Sequence, residues 1–387
     1  MRRTAHGRAL VAACISALAV FVAAGSASAH AHHQKRRAGS NSSAQFTASV
    51  FVNGATISHP LGSSTEPVSN PDDITRLGND IFVAFQNGVG PQGQASPSGN
   101  LDSTVVKFNR TGHELAQWDI TGKCDGLTAD PVTGQVIATV NEDAMSSVYL
   151  INPGSSSAPV QYHYNEPLPS AGGTDAISVF NGRVLISASA PGTTGTPNPL
   201  AAAVYVVTFD TANQTAYIRS LFADTAPARV ANTNASNFGS MVNLALTDPD
   251  SNEVVPSWAS RFAGLFMLTS QGDQEQIFFG GDEPLRVLKL NRSVDDTAWP
   301  SGSGEVLTTD NGANQVIAVT GPFERGWEIA AVTPCDSNNA PSTCPAPEYP
   351  PNFLGRINPW TGMITPLAVS GVSFHPQGML FIPMTRR

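Results

Sequence analysis

The sequence predicts an all-β protein folded as a single β-propeller of six blades. Runs of four to eight residues rich in Val, Ile, Phe, Thr and Tyr alternate with clusters of Gly, Pro, Asn and Asp. An Asp just ahead of a short apolar stretch occurs four times, at 71–75, 124–128, 174–178 and 294–298. The first two intervals are about fifty residues, the length of one four-stranded blade. No stretch carries a 3.6-residue apolar period over three turns, which argues against helices.

Each copy of the Asp motif is followed by a turn and a β-rich run, and the blades can be drafted from this order. The strands of the first three blades are expected near 72–77, 80–86, 103–109 and 114–120; 126–130, 135–141, 146–151 and 159–164; and 175–180, 183–189, 203–209 and 215–222. Those of blades four and five are expected near 242–247, 264–270, 274–280 and 285–290; and 295–299, 305–310, 315–320, 354–358 and 363–369.

The two chain ends supply the remaining strands. The segments 48–53 and 56–61 lie at one end, and 372–376 and 379–383 at the other. Pairing these segments gives a sixth blade made from both ends, and such closure removes the exposed sheet edges of a linear array. Seven blades are the alternative if 322–350 forms strands of its own.

The chain divides into three parts. Residues 1–29 have a basic start, an apolar stretch over 10–24 and a small-residue site at 27–29, which together indicate a secretory signal peptide. Cleavage after Ala31 is an alternative to cleavage after Ala29. Residues 30–44 are polar and basic and predict a flexible leader, and the propeller domain spans 45–387. The expected location is secreted or extracellular, or else periplasmic or associated with the cell wall.

The charge of the predicted domain is strongly negative. Six of the 21 basic residues and none of the 30 acidic residues precede residue 45, so the domain carries 15 basic against 30 acidic residues, a formal net charge of −15. Such a field repels phosphate backbones and anionic lipid, which argues against nucleic-acid and membrane-surface roles, and it favours cations. We expect a monomer without a membrane span, with a small molecule, a glycan or a protein as its partner.

The cysteines fit an oxidising compartment. Cys335 and Cys344 bracket a loop rich in Pro, Asn and Ser, and a disulfide that closes this loop is expected. Cys14 belongs to the signal peptide. Cys124 lies beside one of the repeated Asp residues, and we interpret it as a buried, unreactive thiol rather than a nucleophile.

The repeated Asp residues are the candidate metal site. First strands line the channel of a propeller, so Asp72, Asp125, Asp175 and Asp295 are expected near its mouth. Two carboxylates about 8 Å apart at an effective dielectric constant of about 20 repel by roughly 2 kcal/mol, which a cation would relieve. Calcium is the natural partner of such oxygen ligands. Polar residues at the ends of second strands are candidate ligand-binding residues: Asn87, Asn141, Glu142, Asp310 and Asn311.

The same Asp residues also have a structural interpretation. An Asp ahead of a strand commonly accepts hydrogen bonds from the backbone amides of its own turn. The pattern alone therefore leaves two roles open, a turn brace and a ligand for an ion or a small molecule.

One stretch resembles a known family. CDGLTADPVTGQVIATVNED at 124–143 is similar to the repeat of the six-bladed senescence-marker-protein/gluconolactonase family and of the wider NHL and strictosidine-synthase-like propellers. The resemblance implies that Asp125 binds a divalent metal beside a lactone, and that Asp72, Asp175 and Asp295 occupy the same place in their repeats. The Gly-Glu-Gly-Pro-type first strand of that family is not found in this sequence.

Two functions follow from these observations. The first is an exported, non-catalytic module that binds a ligand or partner on the face carrying the long loops at 87–100 and 190–200. The second is a lactone or ester hydrolase that depends on a divalent metal, in which a nearby carboxylate handles the proton. The absence of the family's Glu favours the first, and no catalytic residue can be named.

Overall fold

The structure is a computed structural model and describes residues 46–168, 173–191, 201–281, 283–333 and 352–384. It consists of 29 strands and one 3-10 turn at Gly54–Thr56, and the described ranges contain no α-helix. The prediction of an all-β propeller is therefore confirmed. None of the described segments is a helix of the length and apolarity that crossing a bilayer requires. The compact unit spans Ser43–Arg387.

The first three blades follow the chain in order. Three strands precede them: β1 (Phe46–Asn53), β2 (Ser58–Leu61) and β3 (Ser64–Pro67). Blade one contains β4 (Pro71–Leu77), β5 (Asp80–Phe85), β6 (Asp102–Phe108) and β7 (Glu114–Thr121). Blade two contains β8 (Cys124–Asp130), β9 (Gln135–Val140), β10 (Ser147–Ile151) and β11 (Val160–Tyr164). Blade three contains β12 (Thr174–Phe180), β13 (Arg183–Ala188), β14 (Ala202–Asp210) and β15 (Thr215–Ala223).

Blade four carries two extra strands on its outer edge. Its strands are β16 (Pro227–Val230), β17 (Met241–Asn243), β18 (Pro249–Val254), β19 (Phe266–Ser270), β20 (Glu275–Phe279) and β21 (Leu285–Lys289), in the order β17-β16-β21-β20-β19-β18. The prediction of a first strand near 242–247 was wrong. That segment overlaps β17 at the outer edge, and the innermost strand is β18.

In the last two blades, strands that are consecutive in the chain lie in different sheets, an arrangement called here the strand exchange. The remaining elements are β22 (Val294–Ala298), β23 (Gly304–Asp310), β24 (Gln315–Gly321), β25 (Glu328–Val332), β26 (Phe353–Ile357), β27 (Ile364–Pro366), β28 (Val369–Gly371) and β29 (Met379–Pro383). One sheet has the order β22-β25-β26-β27, and the other has the order β28-β1-β24-β23-β29. The segments 305–310 and 315–320, which we had assigned to blade five, therefore belong to the closing sheet.

Both chain ends lie in the closing sheet, but they do not pair in the way the sequence suggested. β29 pairs with β23, whereas β1 pairs antiparallel with β24 and parallel with β28. β24 and β23 thus separate β1 from β29 in this sheet. β2 forms its own hairpin with β3, and the segment 372–376 contains no strand. Of the region 322–350, β25 pairs with β22 in blade five, and residues 334–351 lie outside the described ranges.

The innermost strands form a closed ring. β4, β8, β12, β18, β22 and β29 each contact the next strand in this order, and β29 contacts β4. Second strands such as β5 and β9 are buried along almost their whole length, because adjacent blades cover both of their faces. This explains why these strands read as continuous apolar runs in the sequence.

Candidate functional site

Five of the six innermost strands carry, as their second residue, an Asp that is displaced from the strand ladder. The pairing register shifts at this position in β4, β8, β12, β18 and β22. The displaced residues are Asp72, Asp125, Asp175, Asp250 and Asp295, and all five line the central cavity. A β-bulge re-aims a side chain, and here it directs one carboxylate per blade toward the channel. The four Asp residues named from the sequence thus line one cavity.

Asp250 is the member of this ring that sequence reasoning missed. It follows Pro249 at the start of β18, in the same way that Asp72 follows Pro71 at the start of β4. The extra strands β16 and β17 lengthen the interval between Asp175 and Asp250, so a search at the spacing of one blade passes over it. The repeated Pro-Asp pair was the signal that could have identified it.

The cavity has a volume of about 710 Å³ and a strongly acidic lining. Ten of its described lining residues are Asp or Glu, and Lys123 is the single Lys or Arg among them. Cavities of this size hold small molecules in other proteins. The excess of carboxylates means that a cationic ligand would be attracted to this cavity and an anionic one repelled.

Lys123 lies just before β8 and neutralises one side of the ring. Its Nζ lies 2.8 Å from Asp125 Oδ1 and forms a second ion pair with Glu142 Oε1. Burial opposes the charge on this amine, but Asp125, Glu142 and Asp72 outweigh that effect and raise the pKa of Lys123. The ammonium is therefore a fixed positive charge at neutral pH.

Asp125 has one satisfied and one unsatisfied oxygen. Oδ1 accepts a hydrogen bond from Gln86 Nε2 at 3.0 Å, in addition to its contact with Lys123. The side chain is only 4% exposed. Its Oδ2 is buried and has no hydrogen-bond partner among the described residues. Burial raises the pKa of Asp125 well above its usual range, and Lys123 offsets part of that effect. A buried acceptor without a donor is unusual in folded proteins and marks a place where a ligand would gain a hydrogen bond.

The opposite side of the ring is held by an amide rather than by a cation. Gln271 Nε2 donates to Asp250 Oδ2 at 3.2 Å and to Asp295 Oδ1 at 3.0 Å. Burial and the charge of Asp295 raise the pKa of Asp250 well above its usual range. Burial and the charge of Glu142 do the same for Asp175.

Asp72 lies between these two sides. Burial raises its pKa to about 8, Lys123 opposes this effect, and Asp295 and Glu142 add to it. A carboxyl group with this pKa carries its proton for much of the time at neutral pH. Asp72 can therefore donate as well as accept a hydrogen bond.

The predicted ligand-binding residues divide into two groups. Glu142 and Asn311 line the cavity. Asn311 donates from Nδ2 to Gln86 Oε1 at 3.4 Å, so it supports the amide that contacts Asp125. Gln86, Glu142, Gln271 and Asn311 each follow a second strand directly or by two residues, and they form a polar layer above the carboxylates.

The other three predicted residues brace the loops behind the cavity. Asn87 accepts from the Ser69 amide, and Asn141 accepts from the Lys123 amide, each at 2.9 Å. Both have positive φ angles, 54° and 68°, which Asn tolerates better than most residues. Asp310 accepts from the amides of Ala313 and His375. None of the three is among the residues that line the cavity.

A second pair of carboxylates joins adjacent blades. Asp73 accepts from its neighbour Ile74 N at 2.6 Å and from Leu127 N of the next innermost strand at 2.5 Å. Asp296 repeats this arrangement with Thr297 N at 2.7 Å and Met379 N at 2.6 Å. In the two blades that carry Asp-Asp, the first carboxylate thus faces the ring and the second connects two blades.

The sequence also predicted a metal site and a disulfide. In the described ranges, no three His, Cys, Asp or Glu side chains converge closely enough to hold a metal ion. The buried Oδ2 of Asp125 is suited to a cation, but Lys123 already provides a positive charge on that side. Cys335 and Cys344 lie outside the described ranges. Cys124 is a free, fully buried thiol whose pKa is raised by burial.

One of the two long loops can be placed. The segment 87–100 follows β5 at the end of blade one where the carboxylates lie. It turns on itself through Gly90 N to Gln94 O and Ser96 N to Asn100 O, and Pro91 O accepts from Asp143 N of the neighbouring blade. Of the second loop, residues 192–200 lie outside the described ranges.

Comparisons with known proteins show only distant similarity. No family model matches the chain, and no curated protein matches it. Solved structures that overlay on it include a protein of unknown function from Bacteroides caccae, with 10% identity over 83% of this chain and 90% of the other and a TM-score of 0.45. They also include the periplasmic gluconolactonase of Pseudomonas aeruginosa, with 12% identity over 88% and 99% and a TM-score of 0.43.

A streptogramin B lyase overlays as well, with 10% identity over 71% of this chain and 98% of the lyase and a TM-score of 0.33. Similarity at this level concerns architecture, and it assigns no activity to this chain.

Proposed function

We propose that the protein is a binding propeller that captures a positively charged group at the loop-rich mouth of its channel. The observation that carries this proposal is the buried, unpartnered Oδ2 of Asp125 in a cavity whose lining has ten carboxylates and one lysine. Burying an acceptor without a donor and clustering like charges both cost free energy. A bound cation would remove both costs, so the ring is arranged for a ligand and not for its own stability.

The raised pKa values reflect the same free-energy cost of burying and clustering carboxylates. Without a counter-charge, ionisation of Asp72, Asp175 and Asp250 is unfavourable. A bound cation lowers these pKa values, because it favours the charged forms. Calcium, which the sequence motif suggested with Asp72, Asp125, Asp175 and Asp295 as ligands, is one candidate. Asp250 would join this set, and the carboxylates would have to move closer together to coordinate the ion, since no three of them converge in the described ranges. An organic ammonium group is the other candidate.

The test is thermal melting and calorimetry of the purified domain after chelator treatment. We expect calcium or an alkylammonium ion to raise the melting temperature, and Asp125→Asn and Asp250→Asn to reduce the shift. Elemental analysis of the untreated protein shows whether a metal is retained. Glu283→Gln is the matched control, since this carboxylate is 71% exposed on the surface and should not affect the shift. If neither class of cation changes the melting temperature, the proposal fails.

A divalent-metal-dependent lactone or ester hydrolase is the second candidate. The specific observation in its favour is the pKa of Asp72, about 8, in an open cavity beside Lys123. A general acid or base works best when its pKa lies near the working pH. In this function an ion held by Asp125 and its counterparts other than Asp72 would polarise the carbonyl group of the substrate, and Asp72, which would not coordinate the ion, would transfer the proton.

A panel of lactones and esters, assayed with calcium and with chelator, separates the two candidates. Turnover that Asp72→Asn abolishes while cation binding persists would favour the hydrolase. If calcium raises the melting temperature but no substrate in the panel turns over, the binding function is favoured.

We also propose that the chain is exported, on the basis of the signal-peptide pattern in residues 1–29. Expression of the full chain in a bacterial host, followed by N-terminal sequencing of the exported protein, would test this. The expected mature terminus is residue 30 or residue 32. A chain that stays in the cytoplasm with its first residues intact would contradict the proposal.

A further inference from the structure

A surface at one end of blades four and five reverses the charge balance of the domain. The segments 255–265, 322–327 and 355–366 together contain three Arg, three Trp and one acidic residue, Glu324, whereas residues 45–387 carry 30 acidic against 15 basic residues. We call the six Arg and Trp residues of these segments the Arg–Trp face: Trp258, Arg261, Arg325, Trp327, Arg356 and Trp360. An anion meets a net positive surface here, in contrast to the cavity.

The Arg–Trp face lies away from the carboxylate ring. Asp250 is the second residue of β18, and the segment 255–265 follows the other end of that strand. The segment 322–327 leads into β25 where Ile329 pairs with Ala298, the last residue of β22. A strand of five or six residues spans about 15–20 Å, roughly twice the Debye length at physiological ionic strength. The charge of the ring is therefore largely screened at the Arg–Trp face.

Arg261 holds two of the three segments together. Its Nη1 donates to Pro359 O at 2.6 Å and its Nη2 to Ala231 O at 2.8 Å. Its guanidinium group lies between the rings of Phe262 and Trp360, 4.4 Å and 4.7 Å from their centroids. Because Trp360 is 48% exposed, Arg261 fixes an indole ring that remains in contact with solvent.

The other two Arg side chains are exposed and lie over indole rings. The guanidinium carbon of Arg325 is 5.8 Å from the ring centroid of Trp258, and that of Arg356 is 4.4 Å from the ring centroid of Trp327. Both Arg are exposed, and both Trp are half-buried. Gly326 joins the two pairs, since a Cβ on it would lie 2.9 Å from Trp258 O. Neither guanidinium group has a carboxylate within ion-pair distance in the described part of the chain. These two groups are therefore the cations of the face that an incoming anion can reach.

We propose that the Arg–Trp face docks an acidic peptide segment of a partner protein. The guanidinium groups of Arg325 and Arg356 each pair with a carboxylate of the segment, which a planar guanidinium can bind through two parallel hydrogen bonds. The indole rings, that of Trp360 above all, contact the apolar parts of the segment. This inference does not depend on the proposed cation-binding function, because no residue of the Arg–Trp face lines the cavity.

The composition and the geometry of the face favour a protein partner over a small free anion. Arg and Trp are enriched at protein interfaces and supply much of the binding energy there. The six residues are spread over three segments of two blades, and Trp360 is exposed rather than enclosed. Contact with an indole ring restrains each exposed guanidinium group, so less side-chain freedom is lost when a partner binds. The acidic remainder of the domain repels such a segment, which directs it to this face.

The experiment titrates the purified protein into a fluorescein-labelled peptide of ten Glu residues and follows the fluorescence anisotropy. We expect the peptide to bind at low ionic strength and to bind more weakly as salt is added, because exposed charges are screened. A labelled Gly-Ser peptide of the same length should not bind. Arg325→Gln and Arg356→Gln should each weaken binding of the Glu peptide by about threefold to fivefold, as expected for the loss of one exposed ion pair.

Two further variants make the comparison specific. The double variant Arg183→Gln/Arg219→Gln removes two exposed positive charges from blade three, and it should bind the Glu peptide as the unaltered protein does. It is the matched control for Arg325→Gln/Arg356→Gln, which has the same net charge. Arg356→Lys keeps the charge but loses the planar fork, so it should weaken binding by less than Arg356→Gln. Should a Gln variant fail to fold, Arg356→Lys supplies the test.

The outcomes decide between this inference and its alternatives. Absence of binding at low ionic strength would overturn it, and so would an equal loss of affinity in the two double variants. An alginate oligomer, which carries its carboxylates on sugar rings, is the competing probe. If alginate of equal charge binds as tightly as the Glu peptide, the face accepts polyanions in general and the assignment to a peptide fails. Tighter binding of the Glu peptide that depends on Arg325 and Arg356 supports the inference, whatever the response of the cavity to cations.

Discussion

At the scale of single residues, Lys123 sets the balance of charge in the cavity. Its ammonium contacts Asp125 and Glu142, and the described lining contains no second basic residue. Lys123 therefore does in part what a bound cation would do for the rest of the ring. Removal of this charge should lower the stability of the free protein and increase the stabilisation that a bound cation provides.

The first prediction concerns Lys123→Met. The free energy of unfolding should fall by about 3 kcal/mol, because the variant leaves a buried carboxylate without its partner. The stabilisation by calcium or an alkylammonium ion should increase, because the cavity is more negative. Urea unfolding with and without the cation measures both effects.

Lys107→Met is the matched control for this prediction. Lys107 pairs with Asp80 at 2.8 Å on the side of blade one, and it does not line the cavity. Lys107→Met should therefore leave the stabilisation by cations unchanged. A Lys123→Met protein that loses stability and also loses its response would contradict the interpretation of Lys123 as a counter-charge.

The sequence identified single site residues with uneven success. Asp72, Asp125, Asp175 and Asp295 line the cavity because the motif records the bulge that displaces them. The sequence predicts Asn87 and Asn141 as ligand-binding residues, yet they adopt positive φ angles and hold loops. An Asn after a strand is suited to both roles, and only the backbone conformation distinguishes them.

At the scale of elements, adjacent Asp residues on one strand have different roles. On β4, Asp72 faces the cavity, whereas Asp73 accepts from the amide of Leu127 on β8. The alternation of side chains along a strand produces this division. It gives a matched pair of variants that differ by one position.

The second prediction compares Asp73→Asn with Asp72→Asn. Asp73→Asn should destabilise the protein by about 1–3 kcal/mol, because the amide replaces an acceptor oxygen with a donor that faces a backbone N–H. Asp72→Asn should be neutral or stabilising, because it removes a carboxyl group whose ionisation is unfavourable in the free protein. Denaturant titration gives both values, and equal losses in the two variants would refute the division of roles.

The strand exchange between the last two blades could not be read from the sequence. β23 and β24 form a local hairpin, and consecutive strands usually lie in one sheet. That rule placed them with β22. In the structure β22 pairs with β25 instead. Which sheet β23 and β24 join therefore depends on pairing between strands that are not neighbours in the chain. Local patterns identify such strands but do not determine which sheet they join.

The third prediction follows from this exchange. β29 pairs with β23 and contacts both β22 and β4, so it closes the ring of innermost strands. A chain that ends after Gly378 lacks this strand and should fail to melt cooperatively, whereas a chain that ends after Met384 should fold normally. Circular dichroism melts and limited proteolysis report the difference. A cooperative transition in the shorter chain would show that β29 is dispensable.

At the scale of the whole molecule, the fold class followed from composition and the cavity from the repeat. The Asp spacing and the alternating runs predicted a propeller with carboxylates at its channel. The buried and unsatisfied side chains of Ser178 and Asn252 could not be predicted, because one Ser and one Asn carry no such signal in a sequence. Single polar residues acquire meaning only when burial and partners are known.

The fourth prediction is that the free protein is more stable in mild acid than at alkaline pH. Burial raises the pKa of Asp72 to about 8, of Asp296 to about 7 and of Glu328 to about 8, from unperturbed values of 3.8 for Asp and 4.5 for Glu. A carboxyl group whose pKa is raised by folding binds its proton more tightly in the folded state. Its stabilising contribution is complete below the unperturbed pKa and is lost as the pH rises through 7 and 8.

The melting temperature should therefore fall between about pH 5 and pH 8.5, opposite to the trend of a protein whose carboxylates are stabilised by ion pairs. Asp72→Asn should flatten this dependence, because the variant cannot titrate. A cation that binds the ring competes with protons, so it should raise the melting temperature more at pH 8.5 than at pH 5. A free protein whose melting temperature rises across this range would show that the ring is stable when ionised, and the main reason for a cationic ligand would be lost.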